Sequence, residues 1–133
     1  MRIILAARDT DLRLAMQLLL SEEQGVRVIG SASNASGLLA LIDSTTPDLV
    51  LMDEDLPGKT ILELLTEIAA CKAPPKIVLL GAETSMSNDF AQTGVKYYIQ
   101  KGDPPEELVN KFRQAVLKHE TNDQNRGKEK TES

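Results

Sequence analysis

Short apolar runs alternate with longer amphipathic stretches along this chain, and that change of period constrains the fold more than any other feature. Nearly continuous aliphatic runs occupy residues 3–6, 49–52 and 77–80, whereas charged side chains interrupt the runs at 26–29 and 95–99. A continuous run is typical of a parallel strand buried on both faces, and an interrupted run of an edge strand. We therefore predict five strands, of which the second and fifth lie at the edges.

The stretches between these runs have helical spacing. Asn34 is a predicted N-cap, Thr60 opens a capping box with Glu63, and Asp103 precedes a proline at a predicted helix start. Residues 84–93 carry only two large apolar side chains at helical spacing, so the sequence predicts a short, weakly held fourth helix there. Strands that alternate with helices predict an α/β fold, with a parallel sheet and helices on both faces.

The composition changes near the end of the chain. Residues 120–133 contain no aliphatic side chain, which is typical of a segment that cannot form a core. We predict one domain over residues 1–118 and a disordered polar tail or linker stub over 119–133. Nothing in that tail can form a helix-turn-helix, so a DNA-binding regulator would require the chain to be a fragment.

Charge and composition exclude several classes of function. The net charge of −5 and the low aromatic content of 3% disfavour a nucleic-acid partner. A single cysteine, Cys71, excludes an internal disulfide, and a single histidine, His119, leaves little for a histidine metal site. No apolar stretch is long enough to span a membrane. We expect a cytoplasmic protein with neither a membrane nor a nucleic acid as partner.

Residues that follow the apolar runs are the candidates for chemistry, because ligands of open parallel sheets bind beyond the carboxyl ends of the strands. Asp9 follows the first run, Asp53 and Asp55 the third, Gly81 the fourth and Lys101 the fifth. Carboxylates and a lysine at one edge of a sheet indicate phosphoryl or metal chemistry.

Two of these segments resemble the response-regulator receiver domains of two-component signalling, the CheY-like superfamily. Residues 47–58 resemble the family's central strand and following loop, and residues 94–101 its fifth strand. The resemblance covers residues 2 to about 118. It implies a flavodoxin-like (βα)5 three-layer sandwich with strand order 2-1-3-4-5. It also implies that Asp53 is the phosphoacceptor, Lys101 contacts the phosphoryl oxygens and Tyr98 is the switch aromatic.

Each of these three residues also has a simpler interpretation. Without the resemblance, Asp53 could be a helix cap or a loop acid, and Lys101 a solvated lysine at a strand end. Tyr98 could be a half-buried residue of an edge strand, with an apolar ring and a wet hydroxyl group.

The sequence departs from the family at the positions that hold the metal ion. Members carry an acidic pair after the first strand that binds Mg²⁺ with the phosphoacceptor, but Ala7 and Arg8 stand there in this chain. Neither side chain offers an oxygen ligand. Gly81 stands where members usually place a hydroxyl that couples the phosphoryl group to the switch aromatic. We hypothesise that Arg8 contacts Asp53 and takes the place of the cation.

These observations favour an atypical receiver domain, a signalling module and not an enzyme, with weak or no Mg²⁺-dependent phosphorylation. Its expected partners are a sensor histidine kinase or another signalling protein, and an output domain or a second copy of itself. The last two would dock on the surface of the fourth helix, fifth strand and fifth helix.

Two alternatives remain open. In the first, Asp9 and Asp55 join Asp53 in recruiting Mg²⁺ and the domain accepts phosphate normally, although we favour Asp9 as the N-cap of the first helix. In the second, the fold binds a flavin or a nucleotide, but the chain lacks the glycine-rich phosphate loops of such proteins.

Overall fold

Five parallel strands form one sheet in the computed structural model, in the order β2-β1-β3-β4-β5. The structure describes residues 1–81, the backbone of 95–100, and residues 107, 109, 110 and 112–114. The predicted fold class is confirmed, with the central strands at the continuous apolar runs. The described elements, in chain order, are β1 (Arg2–Ala6), α1 (Thr10–Ser21), β2 (Arg27–Ala32), α2 (Ala35–Thr45), β3 (Leu49–Asp53), α3 (Ile61–Ala69), β4 (Lys76–Gly81) and β5 (Val95–Gln100).

Some of the predictions fall outside the described residues. These are the fourth helix at 84–93, the helix start at Asp103 and the tail at 119–133. Helical residues at 107, 109, 110 and 112–114 form what we call the C-terminal helical segment.

Side chains that alternate along the strands supply two apolar layers, one on each face of the sheet. On one face, Val50 and Met52 of β3 pack in a cluster that includes residues of α2 and α3. On the other, Leu49 and Leu51 pack in a cluster with α1 residues and Phe112 of the C-terminal helical segment. Burying one such aliphatic side chain contributes about 1.5–3 kcal/mol. Because β3 is buried on both faces, its carboxyl end is held firmly in place.

The helices begin at the predicted caps. Asn34 accepts a hydrogen bond from the Gly37 N–H at 2.8 Å. The Thr60 hydroxyl accepts from the Glu63 N–H at 3.2 Å and donates to the Glu63 carboxylate at 2.9 Å. The bonds from the Gly37 and Glu63 N–H groups satisfy backbone donors that a helix start leaves without intrahelical partners. Both predicted N-caps are confirmed, but Glu63 reaches back to the Thr60 hydroxyl and not to the Thr60 N–H that a capping box would use.

A close approach between two loops ties the carboxyl edge of the sheet together. The Ala35 N–H at the start of α2 donates to the Pro57 carbonyl oxygen at 2.8 Å. The next residue, Gly58, has a φ of +111°, a conformation that favours glycine. A Cβ added to Gly58 would lie 3.3 Å from the Cβ of Ala35. The loop after β3 therefore depends on glycine for both its backbone shape and its packing.

We predict that Gly58→Ala destabilises the protein by about 1–3 kcal/mol, the cost of holding a non-glycine residue in a strained conformation. Gly25→Ala is the matched control, because Gly25 also has a positive φ but no heavy atom would lie within 4 Å of its added Cβ. Both substitutions strain the backbone, but only Gly58→Ala also crowds a neighbouring residue. The difference between their free energies of unfolding in urea therefore measures the effect of crowding. A Gly58→Ala variant no less stable than Gly25→Ala would contradict the packing argument.

An ion pair connects the C-terminal helical segment to the turn after α1. The Arg113 guanidinium donates two hydrogen bonds to the Glu23 carboxylate, one of them at 2.9 Å. The hydrogen bond from Arg113 holds the pKa of Glu23 below its usual 4.5, against a smaller opposing effect of desolvation. A carboxyl group whose pKa is lower in the folded than in the unfolded state stabilises the fold at pH values above its unfolded-state pKa. This stabilisation is lost as the pH falls through the folded-state pKa.

We predict that Glu23→Gln lowers the urea midpoint at pH 7, because the neutral amide loses the charge-assisted pair. The difference from the parent should shrink as the pH falls below 4.5 and vanish once Glu23 is protonated in both states. Urea titrations from neutral to acidic pH measure it. A difference that stays constant across this range would show that the charge of Glu23 contributes nothing.

Candidate functional site

Asp53 is the last residue of β3 and is only 2% exposed. It is the one buried polar or charged side chain among the residues that the structure describes. The Asp55 N–H donates to Asp53 Oδ1 at 2.9 Å, and the Leu56 N–H donates to the Asp53 carbonyl oxygen at 3.2 Å. A buried carboxylate requires compensating hydrogen bonds or charges, and the turn after β3 supplies part of this compensation.

The neighbouring ends of β1 and β4 frame this carboxylate. Ala6 pairs with Met52 in the β1–β3 register, so Ala7 lies level with Asp53. Asp53 itself pairs with Leu80 in the β3–β4 register, directly before Gly81. Ala7 is 0% exposed and Gly81 is buried. The two positions where the family places polar side chains therefore present a methyl group and a hydrogen atom.

The structure does not place the Arg8 side chain against Asp53, where we had hypothesised it to lie. Its side chain is exposed. Within the described part of the chain, no hydrogen bond or ion pair joins it to Asp53. A guanidinium in water avoids the desolvation that a contact with a buried carboxylate would require. The expected Arg8–Asp53 contact is not formed in this structure.

Asp9 is the N-cap of α1. Its Oδ1 accepts hydrogen bonds from the Asp11 N–H at 2.9 Å and the Leu12 N–H at 3.3 Å. An anion at this position also interacts favourably with the positive end of the helix dipole. The N-cap interpretation of Asp9 is confirmed, and it directs the carboxylate to the start of the helix.

The described side chains at the end of β1 do not supply an acidic pair for a Mg²⁺ ion. Among the described residues, no group of three or more histidine, cysteine, aspartate or glutamate side chains is arranged to hold a metal. Mg²⁺ requires near-octahedral oxygen ligands. Ala7 has no ligand atom, Arg8 has only donors and Asp9 is engaged in a cap.

The sequence interpretation missed Arg13, which lies in the first turn of α1. Its guanidinium donates to the Ala7 carbonyl oxygen at 2.6 Å and approaches the Arg8 carbonyl oxygen at 3.4 Å. Helical side chains lean towards the helix N-terminus, so a long side chain in the first turn can reach the preceding loop. That rule is the signal that could have identified it.

Two predicted site residues belong to the fifth strand and its end. The backbone of Tyr98 lies in β5, in register with Leu79 of β4. Gln100, the last residue of β5, pairs with Gly81. Lys101 lies outside the described residues.

An apolar cavity of about 20 Å³ lies under α1, away from these groups. Met16 and Phe112 are among the side chains that line it. Cofactor pockets usually measure about 300–1,000 Å³, so this cavity is too small for a flavin or a nucleotide. It offers no support for the flavin or nucleotide interpretation.

The 2-1-3-4-5 parallel sheet, with a buried aspartate at the end of its central strand, agrees with the resemblance to receiver domains. Residues 3–113 match the family described as "Response regulator receiver domain". The chain belongs to this family.

No helix in the described part of the chain is long and apolar enough to cross a membrane.

Individual relatives agree with this assignment. The chain is 31% identical to "Response regulator UvrY" of Escherichia coli over 113 residues, which cover 83% of this chain and 52% of the relative. It is 30% identical to "Transcriptional regulatory protein DesR" of Bacillus subtilis over 114 residues, or 85% and 57% of the two chains. The chain thus spans about half the length of the curated relatives it matches.

A solved structure confirms the fold. The crystal structure of a CheY-like response regulator receiver domain protein from Methanospirillum hungatei superposes with a TM-score of 0.78 at 25% identity. The match covers 91% of this chain and 97% of that one. The predicted membership of the receiver family is confirmed.

We predict that Asp9→Ala destabilises the protein by about 1 kcal/mol, because alanine cannot cap α1. Asp9→Asn should cost little, because asparagine caps a helix about as well as aspartate. Urea unfolding distinguishes the two substitutions. Equal losses for both variants would mean that Asp9 acts through its charge and not as a cap.

Proposed function

We propose that this domain is an atypical receiver that transmits signals through protein contacts, with weak or no Mg²⁺-dependent phosphorylation of Asp53. In this proposal Asp53 keeps the place of the phosphoacceptor, while the end of β1 no longer binds the cation that the reaction requires. The domain then acts as a binding module and not as an enzyme.

The observation that supports the proposal most strongly is the set of groups beside Asp53. Transfer of a phosphoryl group depends on positive charge that neutralises its oxygens. The β1 end contributes an apolar methyl group from Ala7, an exposed Arg8 and an Asp9 engaged in a helix cap. Ala7 and Arg8 supply no oxygen ligand, and Oδ1 of Asp9 accepts the hydrogen bonds of the cap.

The end of β4 supports the same proposal. Gly81 has no hydroxyl to bond a phosphoryl oxygen and to link it to the switch aromatic. With that link missing, a phosphoryl group on Asp53 would have a weaker effect on Tyr98. In this proposal Lys101 and Tyr98 keep their family positions after β4, and the signal depends on which partner binds.

The proposed partners follow from the family and from the length of the relatives. A sensor histidine kinase or another signalling protein would deliver the signal. The chain covers about half of relatives named as response and transcriptional regulators, so we propose an output domain as a second partner. A second copy of the domain is the alternative occupant of the surface around β5. With a net charge of −5, the domain itself does not bind DNA in this proposal.

A phosphorylation assay tests the proposal. The purified chain is incubated with Mg²⁺ and a small acyl phosphate, and its intact mass is measured over time. We predict little or no added phosphoryl group, because the β1 end does not hold the cation. Labelling of the parent chain but not of Asp53→Ala would overturn the proposal and favour an ordinary phosphoaccepting receiver.

A variant with the acidic pair restored provides the positive control. Ala7→Asp/Arg8→Asp should accept phosphate faster than the parent under the same conditions. It should also be less stable without Mg²⁺, since a second carboxylate beside Asp53 is repelled, and regain stability when Mg²⁺ is added. If this variant responds to Mg²⁺ no more than the parent does, the missing acidic pair is not the reason for weak phosphorylation.

A further inference from the structure

The Arg13 guanidinium is tied to backbone oxygens of the loop between β1 and α1. One nitrogen donates to the Ala7 carbonyl oxygen at 2.6 Å and lies 3.4 Å from that of Arg8. The other terminal nitrogen contacts the Thr10 hydroxyl at 3.4 Å. A single side chain thus bridges the end of β1 and the start of α1.

Electrostatics alone would not place the positively charged Arg13 side chain in the first turn of α1. The N-terminus of a helix carries partial positive charge, which disfavours a basic side chain in the first turn. The guanidinium remains because carbonyl oxygens accept its hydrogen bonds and the Asp9 and Asp11 carboxylates lie in the same turn. Ala7 is 0% exposed, so its carbonyl oxygen depends on a partner within the protein. Arg13 is that partner.

This contact lies directly beside the candidate site. Ala7 is level with Asp53 across the β1–β3 pair, and its N–H donates to the Ala32 carbonyl oxygen at 3.0 Å on the other side. The loop is therefore held at Ala7 by Arg13 and at Asp9 by the cap of α1. Both contacts come from the chain itself.

We propose that Arg13 is a positioning residue that fixes the β1–α1 loop beside Asp53, so that the loop is ordered without a bound divalent cation. The proposal deepens the proposed function and rests on it, because it explains how a pocket without the acidic pair keeps its shape. Arg13 acts through the backbone of Ala7 and does not itself contact Asp53.

Amide hydrogen exchange on the full chain tests the role of Arg13. In Arg13→Ala, the amides of Ala7, Asp11 and Leu12 should exchange about tenfold faster or more, as expected for losing a hydrogen bond donated by a charged group. Arg13→Lys should recover part of the protection, because an ammonium group can still donate to the Ala7 carbonyl. Arg8→Ala is the matched control.

Arg8→Ala removes a guanidinium from the loop beside Arg13 without removing a hydrogen bond of the described structure, and should leave these amides unchanged. Amides of α3 report global unfolding. Equal exchange in Arg13→Ala and Arg8→Ala would overturn the proposal. So would an increase in Arg13→Ala that is uniform across the loop and α3, since Arg13 would then stabilise only the whole fold.

Adding Mg²⁺ to the parent chain tests the second part of the proposal. We expect no change in the exchange of the loop amides, and strong protection by Mg²⁺ would show that the cation orders the loop. A different result, Mg²⁺-dependent phosphorylation of Asp53, would contradict the proposed function. That result alone would leave the difference between Arg13→Ala and Arg8→Ala intact.

Discussion

A carboxylate that is 2% exposed at the end of the central strand is the constraint on which the rest of the structure depends. Taking an ionised group out of water costs several kcal/mol unless the protein replaces the lost hydration. The chain meets part of this requirement with the backbone, through the Asp55 N–H and the turn that follows β3. The tight loop at Gly58, tied to the start of α2 through Pro57 and Ala35, keeps that turn in place.

The end of β1 carries Ala7 and Arg8 beside this carboxylate. In a typical receiver two acids stand there with a cation, and removing both acids also removes the mutual repulsion that the cation would offset. Ala7 packs as an apolar residue, Asp9 caps α1 and Arg13 binds the Ala7 carbonyl oxygen. These contacts give the loop its own set of partners.

Periodicity predicted the fold because strand and helix periods depend only on which positions are apolar. The continuous run of β3 and the caps at Asn34 and Thr60 are local signals of this kind. The position of Asp53 followed from the same logic, since parallel strands end at one edge. The direction of a flexible side chain is different. Arg8 and Arg13 have the same functional group, and only the structure shows that the first is exposed and the second bonds the loop.

In our proposal the pocket around Asp53 keeps its conformation without a divalent cation. Titrating Mg²⁺ into the isotopically labelled chain, while following the backbone amides of Ala7, Asp9 and Asp55 by NMR, tests it most directly. The Asp55 amide is the most informative probe, because it donates to Asp53 Oδ1. We predict only small, non-saturating shifts, as for weak screening by salt. A saturable shift of all three amides with a common affinity would contradict it.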